Sequence, residues 1–475
     1  MSTSSSSLSS LLSSMSSSSS GTDISSILEA ALGASSPGID VTAAVNSAVT
    51  AAQAPEQAWE TQESTLQSQI SALTQIQTDA SNLDNDMQNL NSLTGPMSAM
   101  TVNSSNSNVV SASAASGSTV GNHVIVVSGL ATTASWTSGT FANSSTALPA
   151  GSFTITPGSG TATTITTDGT ETLSQVASQI NGDNLGITAS VITDATGSRL
   201  ALVANSSGSA SNFTISSTDP TDFGFAQAAT GGNASLTVDG IKIASASNTV
   251  TGAIPGVTLN LLSSNPGAEV SLNVAPDTSQ IQNALQQFVT DYNTVVSDLS
   301  AQFTFSGTSE GVLATDSTVR NLQNDVLGAL DYTYTPASES TTVANLTSLG
   351  ISVDNNGKLT LNTSTLQSAL QNNFSDVQSF FQGTALNGFA NSMDQQLTSF
   401  ISPADGAFTI DLQSMNSQIT GLQSDISDFE TNYITPLKAQ LQSEYSQAEI
   451  ALQELPNEMK QISAELGQNG NSSNG

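Results

Sequence analysis

Residues 61–90 read TQESTLQSQISALTQIQTDASNLDNDMQNL. Within this polar run Leu66, Ile70, Leu73, Ile76, Ala80, Leu83, Met87 and Leu90 recur at steps of three or four, the spacing that gathers side chains on one face of a helix. The remaining positions are mostly Gln, Ser, Thr, Asn and Asp. Propensity alone leaves such a helix marginal in water, so its stability depends on a surface that covers the apolar stripe. The reading of the whole chain turns on finding that cover.

The far end carries a matching stripe. Met415, Ile419, Leu422, Ile426, Phe429 and Tyr433 follow one another at heptad-like steps, and beyond Pro436 the pattern continues through Leu437, Leu441, Tyr445, Ala448, Leu452 and Leu455. A third stripe, Ile281, Leu285, Phe288, Tyr292, Val295 or Val296, and Leu299, follows Asp277 and Gln280, which read as an N-terminal cap. Stripes at both ends and in the interior pack most economically on one another, as a coiled-coil-like bundle. The chain therefore goes out and comes back.

What lies between has a different period. From 103 to 275 short Val/Ile/Thr-rich runs alternate with Gly, Asn, Asp and Ser, the pattern of strands and turns. One helix interrupts them, ETLSQVASQING (171–182), with Thr172 and Gln175 as a capping box and Gly182 as a stop. Farther on, a helix starts at Asp316-Ser317, GISVDNNGKLTLN (350–362) predicts a hairpin around Asn356-Gly357, and two short helices follow at 364–370 and 375–381. The expected class is α+β and multidomain, with terminal helices in a bundle and two inserted, mainly-β domains. The expected parts are a disordered Ser-rich extension (1–36), N-terminal leg helices (37–102), an inner β domain in two pieces (103–145 and 230–275) and an outer β domain with one helix (146–229). A helical bundle with a hairpin (276–435) and a C-terminal leg helix with a disordered tail (436–475) complete the chain.

Composition excludes several functions. Asp and Glu outnumber Lys and Arg 38 to 6, for a net charge of −32, so the surface cannot neutralise phosphates and no nucleic acid is expected as a partner. No apolar run is long enough for membrane insertion. There is no cysteine, hence no disulfide, thiolate metal site or thiol nucleophile. Residues 1–20 have neither the basic nor the apolar region of a cleavable signal, so the chain is expected either to be cytoplasmic or to be exported by a device that needs no such signal.

Chemistry is sparse. His123, the single histidine, sits in a strand pattern, where packing or surface exposure outweighs catalysis. Asp354-Asn355-Asn356-Gly357 lacks the spaced acids of a calcium loop and reads as a turn. Asp84 and Asp86 fall on the polar face of the opening helix, where solvated charge is expected. No catalytic residue, cofactor or metal site is expected. The residues that matter are the seam positions: Leu66, Ile70, Leu73, Ile76, Leu83, Met87 and Leu90, then Ile281, Leu285, Phe288 and Tyr292. At the far end they are Met415, Ile419, Leu422, Ile426, Phe429, Tyr433, Leu441 and Leu452.

Several segments resemble, in order, the flagellar filament cap family, hook-associated protein 2. They are GIDVTAAVNSAV (38–49), the glutamine-rich heptads from 57, NHVIVVSGLA (122–131), ASLTVDGIKIASASNTVTGAIPGVTLNLLSSNPGAEVSLNVAPDT (234–278) and the helix with Phe288-Val289 and Asp291-Tyr292-Asn293. GVLATDSTVRNLQ (311–323) and LTSLGISVDNNGKLTL (346–361) complete the set. The resemblance spans about residues 33 to 455. It implies paired terminal helices in a leg that meets the filament, β domains in a plate above it, and a homo-oligomeric ring at the filament tip that guides the folding and polymerisation of exported flagellin. It further implies flagellin and the hook–filament junction as partners, and an export chaperone. The chain departs from the family in its long Ser-rich start and its weakly charged terminal helices. Uncharged Gln, Asn and Thr contacts suggest an assembly less sensitive to salt and pH, as would suit an acidic habitat. The competing readings are another axial protein, such as a flagellin or junction protein, and a surface adhesin that uses exposed β domains.

Overall fold

The computed structural model describes residues 40–158, 160–217, 223–304, 310–335 and 341–469. The Ser-rich stretch 1–36 and the end of the tail lie outside the described residues. The chain is α+β and forms two compact units. Among the described residues, the first gathers those up to Thr78, those within Ser300–Val319 and those from Phe400 on; the second gathers those within Asp79–Leu299 and Arg320–Ser399.

In the first unit, α1 (Val41–Ala52) is capped by Asp40, whose Oδ1 accepts from the Ala43 N–H at 2.9 Å. Helix α2 (Ala54–Asn91) begins with Pro55 in its first turn, where a missing N–H costs nothing, and runs on into the second unit.

The β region belongs to the second unit and holds two cores. A five-stranded antiparallel sheet, in the order β1 (Met100–Ser104), β15 (Val270–Pro276), β3 (Gly121–Gly129), β11 (Ala234–Val238), β12 (Ile241–Ser245), shares one core with a second sheet. That sheet has three strands, β13 (Thr249–Ile254), β14 (Val257–Leu261) and β2 (Val110–Ala114). The alternation expected of half-buried strands is followed: Ile125 and Val127 are buried, and Val124 and Val126 between and beside them are less covered.

The other core lies between β3 and β11 in sequence. It packs β10 (Ala226–Ala229), β4 (Ser135–Thr137), β8 (Gly197–Ala204) and β7 (Ile187–Asp194) with β6 (Thr163–Thr167), β5 (Gly151–Pro157), β9 (Phe213–Ser216) and helix α3 (Leu173–Gly182). The capping box at Thr172 and Gln175 is formed. Strand β4 pairs with β8, and Trp136 packs beside Phe213, so this core takes in chain upstream of the expected boundary at 145.

The nesting follows from strand pairing. Leu236 of β11 faces Val127 of β3, which closes the first core around the insertion. Val102 of β1 faces Val274 of β15, so the chain enters and leaves the β region side by side. The Asp277 N–H then bonds the Ala99 carbonyl at 2.9 Å, just where α4 (Thr278–Phe303) begins.

Helices α5 (Ser317–Ala329), α6 (Thr363–Asn372), α7 (Phe374–Gln382) and α8 (Phe389–Ile401) follow, with the hairpin β16 (Ile351–Val353) and β17 (Leu359–Leu361) between α5 and α6. Asp354 Oδ1 accepts from the N–H groups of Asn356 and Lys358 at 2.8 Å each, and Gly357 takes φ +77°, which closes the turn the sequence predicts. The chain ends in α9 (Ala407–Phe429), a π turn (Glu430–Ile434) and α10 (Thr435–Asn469). The wide turn immediately precedes Pro436, whose ring and missing N–H a regular helix would not accommodate.

Candidate assembly seams in the terminal helices

In the first unit α2 and α9 meet through a narrow apolar seam. Leu66, Ile419 and Leu422 are buried together, with Trp59, Ile70 and Met415 partly covered against them. Trp59 stands edge-on to Phe429 with ring centres 5.5 Å apart, and Gln423 Nε2 donates to Glu63 Oε1 at 2.6 Å. Rising numbers on α2 meet falling numbers on α9, so the two chain ends run antiparallel. Next to this seam Val45 and Val49 of α1 are buried with Phe429 and Ile434, and Tyr433, Leu441 and Tyr445 lie half-covered around them. Leu73 and Ile76 are fully buried. Ile426 and Leu452 are half-covered and join neither cluster. Val45, Val49 and Trp59 were not expected in the seam, although Val41, Val45 and Val49 have helical spacing.

The second unit covers its helices far more completely. Leu83, Met87 and Leu90 of α2 and Ile281, Leu285, Phe288 and Tyr292 of α4 are all 0–1% exposed. Phe288 meets Phe389 of α8 at 5.9 Å, and Phe389 stacks on Phe380 of α7 at 5.5 Å. Gln382 Nε2 donates to the carbonyls of Leu90 and Ser92, at 3.3 and 3.0 Å, and so satisfies carbonyls that the end of α2 leaves open. Asn293 reaches the hairpin, bonding both the N–H and the C=O of Leu359.

Asp84 and Asp86 correct the sequence reading. They are not solvated: Asp84 is 6% exposed and Asp86 is half-covered, and Asp84 Oδ1 and Asp86 Oδ2 are enclosed within the protein. At about 100° per residue, Asp79 and Asp86 fall on one flank of the α2 stripe and Asp84 on the other, so helices on both flanks cover them. Burial, then the neighbouring Asp394 carboxyl, pushes Asp84 up to about 7. Burial and Asp291 do the same to Asp86, also to about 7, and burial and Asp79 raise Asp298 to about 6. Burial also raises the Tyr292 hydroxyl.

His123 Nδ1 pairs with Asp239 Oδ2 at 2.7 Å on the β surface, and Asp239 Oδ1 accepts from the Val124 N–H at 2.8 Å. These contacts hold the Asp239 carboxyl below its usual range, His123 contributing most. Asp239 sits at φ 52° in the β11–β12 turn, so the pair tethers a turn to a neighbouring strand. Among the described residues no group of three or more His, Cys, Asp or Glu is placed to hold a metal, and no helix is long and apolar enough to cross a membrane.

The two ends that pair in the first unit are also the ends that known proteins share. The profile of the flagellar hook-associated protein 2 N-terminus matches residues 37–134, and that of the flagellar hook-associated protein 2 C-terminus matches 231–457. The chain belongs to the flagellar hook-associated protein 2 family. The stretch between the two matches coincides with the nested core, and within it residues 152–206, from β5 to just past β8, match the flagellin hook IN motif. Similar proteins include the B-type flagellar hook-associated protein 2 of Pseudomonas aeruginosa, 27% identical over 404 residues, covering 78% of this chain and 82% of the relative. The flagellar hook-associated protein 2 of Aeromonas caviae is 27% identical over 347 residues, covering 66% and 73%. The crystal structure of the Escherichia coli flagellar cap protein FliD, domains D1–D2–D3, aligns with a TM-score of 0.60 at 26% identity, covering 73% of this chain and 99% of that one. Flagellar hook-associated protein 2 is a structural family of the filament cap, and membership places this chain at the flagellar tip in an oligomeric assembly with flagellin.

Proposed function

We propose that copies of this chain form a ring at the tip of the growing filament, where they retain exported flagellin and guide its folding and insertion. The observation that carries this reading is the antiparallel seam of Trp59, Leu66 and Ile70 with Met415, Ile419 and Leu422, which joins the two family-matched ends. Around it, Tyr433, Leu441, Tyr445 and Leu452 remain half-covered and Ile450 is 58% exposed. A single copy leaves this apolar surface open, and burial against neighbouring subunits would supply a driving force for assembly without chemical catalysis.

The finer parts of the proposal concern export and partners. The chain reaches the cell exterior through the flagellar export apparatus, escorted by a chaperone, and engages neither nucleic acid nor lipid. Its acidic balance of 38 to 6 supports the last point. The role is geometric and not enzymatic. The proposed β plate closes the filament end, and the exposed apolar side chains of the helical leg exchange partners as each flagellin enters.

Deleting the gene tests this. Cells without the protein should make and secrete flagellin but release it as monomer into the medium, and swimming should stop. Normal filaments and motility, with no excess flagellin in the supernatant, would refute the cap role and leave surface adhesion as the better account.

A further inference from the structure

The helical core of the second unit sets carboxyl against carboxyl. Asp79 and Asp86 stand one heptad apart on α2, and Asp298 and Asp291 stand one heptad apart on α4 in the reverse order, so the antiparallel helices bring acid to acid twice. On the opposite flank of α2, Asp84 faces the Asp394 carboxyl of α8. A hydrogen bond between two carboxyls requires a proton on one of them. Asp84 Oδ1 and Asp86 Oδ2 are buried and accept nothing from any amide, hydroxyl or cationic donor. Neighbouring positions on the same helices, Leu83, Met87, Val295, Leu299, Met393 and Leu397, are buried and apolar.

We propose that shared protons lock these helices together, so that the helical core tightens in mildly acid surroundings and loosens as the medium turns alkaline. Two ionised carboxylates in such a setting repel each other and are poorly solvated, whereas one acid and one carboxylate form a charge-assisted hydrogen bond.

Around Asp84 and Asp86 the side-chain amides do not substitute for the proton. Gln88 Nε2 donates to Asp84 Oδ2 at 2.8 Å and Gln287 Nε2 to Asp291 Oδ2 at 2.9 Å, each reaching one oxygen and leaving the facing carboxyls to each other. Tyr292, on the same stretch of α4, has a buried hydroxyl and stays neutral. Arg320 and Asp325 on α5 are exposed, Asp376 on α7 accepts from Thr342, and Asp354 binds the backbone of its own turn beside Lys358.

The direction of the pH effect follows. In the unfolded chain an Asp keeps its proton only below about 4. In the fold Asp84 and Asp86 keep theirs to about 7 and Asp298 to about 6. Folding therefore takes up protons between these limits, and stability contributed by the pairs is complete below about 4, falls as pH rises and is gone above about 7. This response belongs to the helical core of the second unit within one copy and is separate from the expectation that uncharged contacts between subunits are less sensitive to pH.

The test is thermal unfolding of the full chain, followed by helical circular dichroism from about pH 4.5 to about pH 8.5. It compares the natural protein with Asp291→Asn, Asp298→Asn and Asp394→Asn combined, in which an amide offers each remaining carboxylate a donor at every pH. A control replaces the exposed Asp183, Asp425 and Asp428 with Asn. The helical melting temperature of the natural protein and the control should fall over this range and level off, while that of the triple variant stays flat. A flat or rising curve in the natural protein, or an unchanged slope in the triple variant, would overturn the proposal. Should the triple variant not fold, infrared spectroscopy of the natural protein decides. At about pH 6, where exposed Asp and Glu are ionised, a carboxylic acid C=O band must be present in the folded state and vanish on unfolding. Its absence would overturn the proposal equally.

Discussion

Helix α2 is packed in two different ways along its length. From Ala80 to Leu90 its stripe residues are 0–1% exposed. From Trp59 to Ile70 only Leu66 is buried, at 7%, and Trp59 and Ile70 are half-covered. The spacing of apolar residues is the same in both stretches, so the difference comes from how many neighbours cover them. In the second unit α4, α7 and α8 supply aromatic rings, side-chain amides and facing carboxyls; in the first, α9 supplies one seam of small area. A stripe of helical spacing thus specifies that a surface will be covered and leaves open by what. The closed stretch holds the fold, and the half-open stretch is where another subunit can add burial.

Substitutions should separate the two. The largest effect is expected for Leu83→Asp, which buries an unpaired charge in the closed stretch and should cost roughly 4 kcal/mol or more, enough to melt the helical core. A loss below about 1 kcal/mol in urea unfolding would mean that the closed stretch is not closed. Leu285→Ala should cost about 2–5 kcal/mol by leaving a cavity. In the half-open seam, Leu422→Asp with Ile426→Asp should cost about 2–3 kcal/mol, because part of the new charge reaches water. The β cores should keep their structure while the first unit unravels; joint collapse of everything in one transition would show that the two regions do not fold separately.

Ile70→Ala should cost only about 1 kcal/mol, in keeping with partial burial. Smallest of all is His123→Ala, which removes an exposed ion pair and should cost under about 1 kcal/mol. Because His123 and the Val124 N–H hold Asp239 below its usual range, the contribution of that contact is present above the ordinary aspartate range and is lost as the pH falls through the depressed value. This is opposite in sign to the buried pairs of the second unit. Equal pH slopes at the two places would erase the distinction between surface and buried carboxyls.

Much of this was legible in the residues. Period changes near 103 and 276 marked the β region, Thr172 and Gln175 marked a helix start, and Asn356-Gly357 marked a turn. The stripes at 66–90 and 415–433 announced helices in need of each other. Helix α8 was not singled out within the expected bundle, although Phe389, Met393, Leu397 and Phe400 have helical spacing. The place of Asp84 and Asp86 was not legible at all. On an isolated helix they belong to the polar side, and only the arrival of α4 and α8 on opposite flanks makes them interior. The seam's share in assembly was inferred from its pattern and from family resemblance, since a contact made between copies leaves no mark on spacing within one copy beyond an uncovered stripe.

The central claim is that the half-open helices at the chain ends act by meeting other subunits at the filament tip. A version ending at Thr435, which removes α10 with Leu441 and Leu452, tests it most directly when expressed in cells lacking the full protein. The account predicts that both β cores fold, that flagellin accumulates in the medium and that no filaments grow. Filaments of normal length and full swimming with the shortened protein would contradict it.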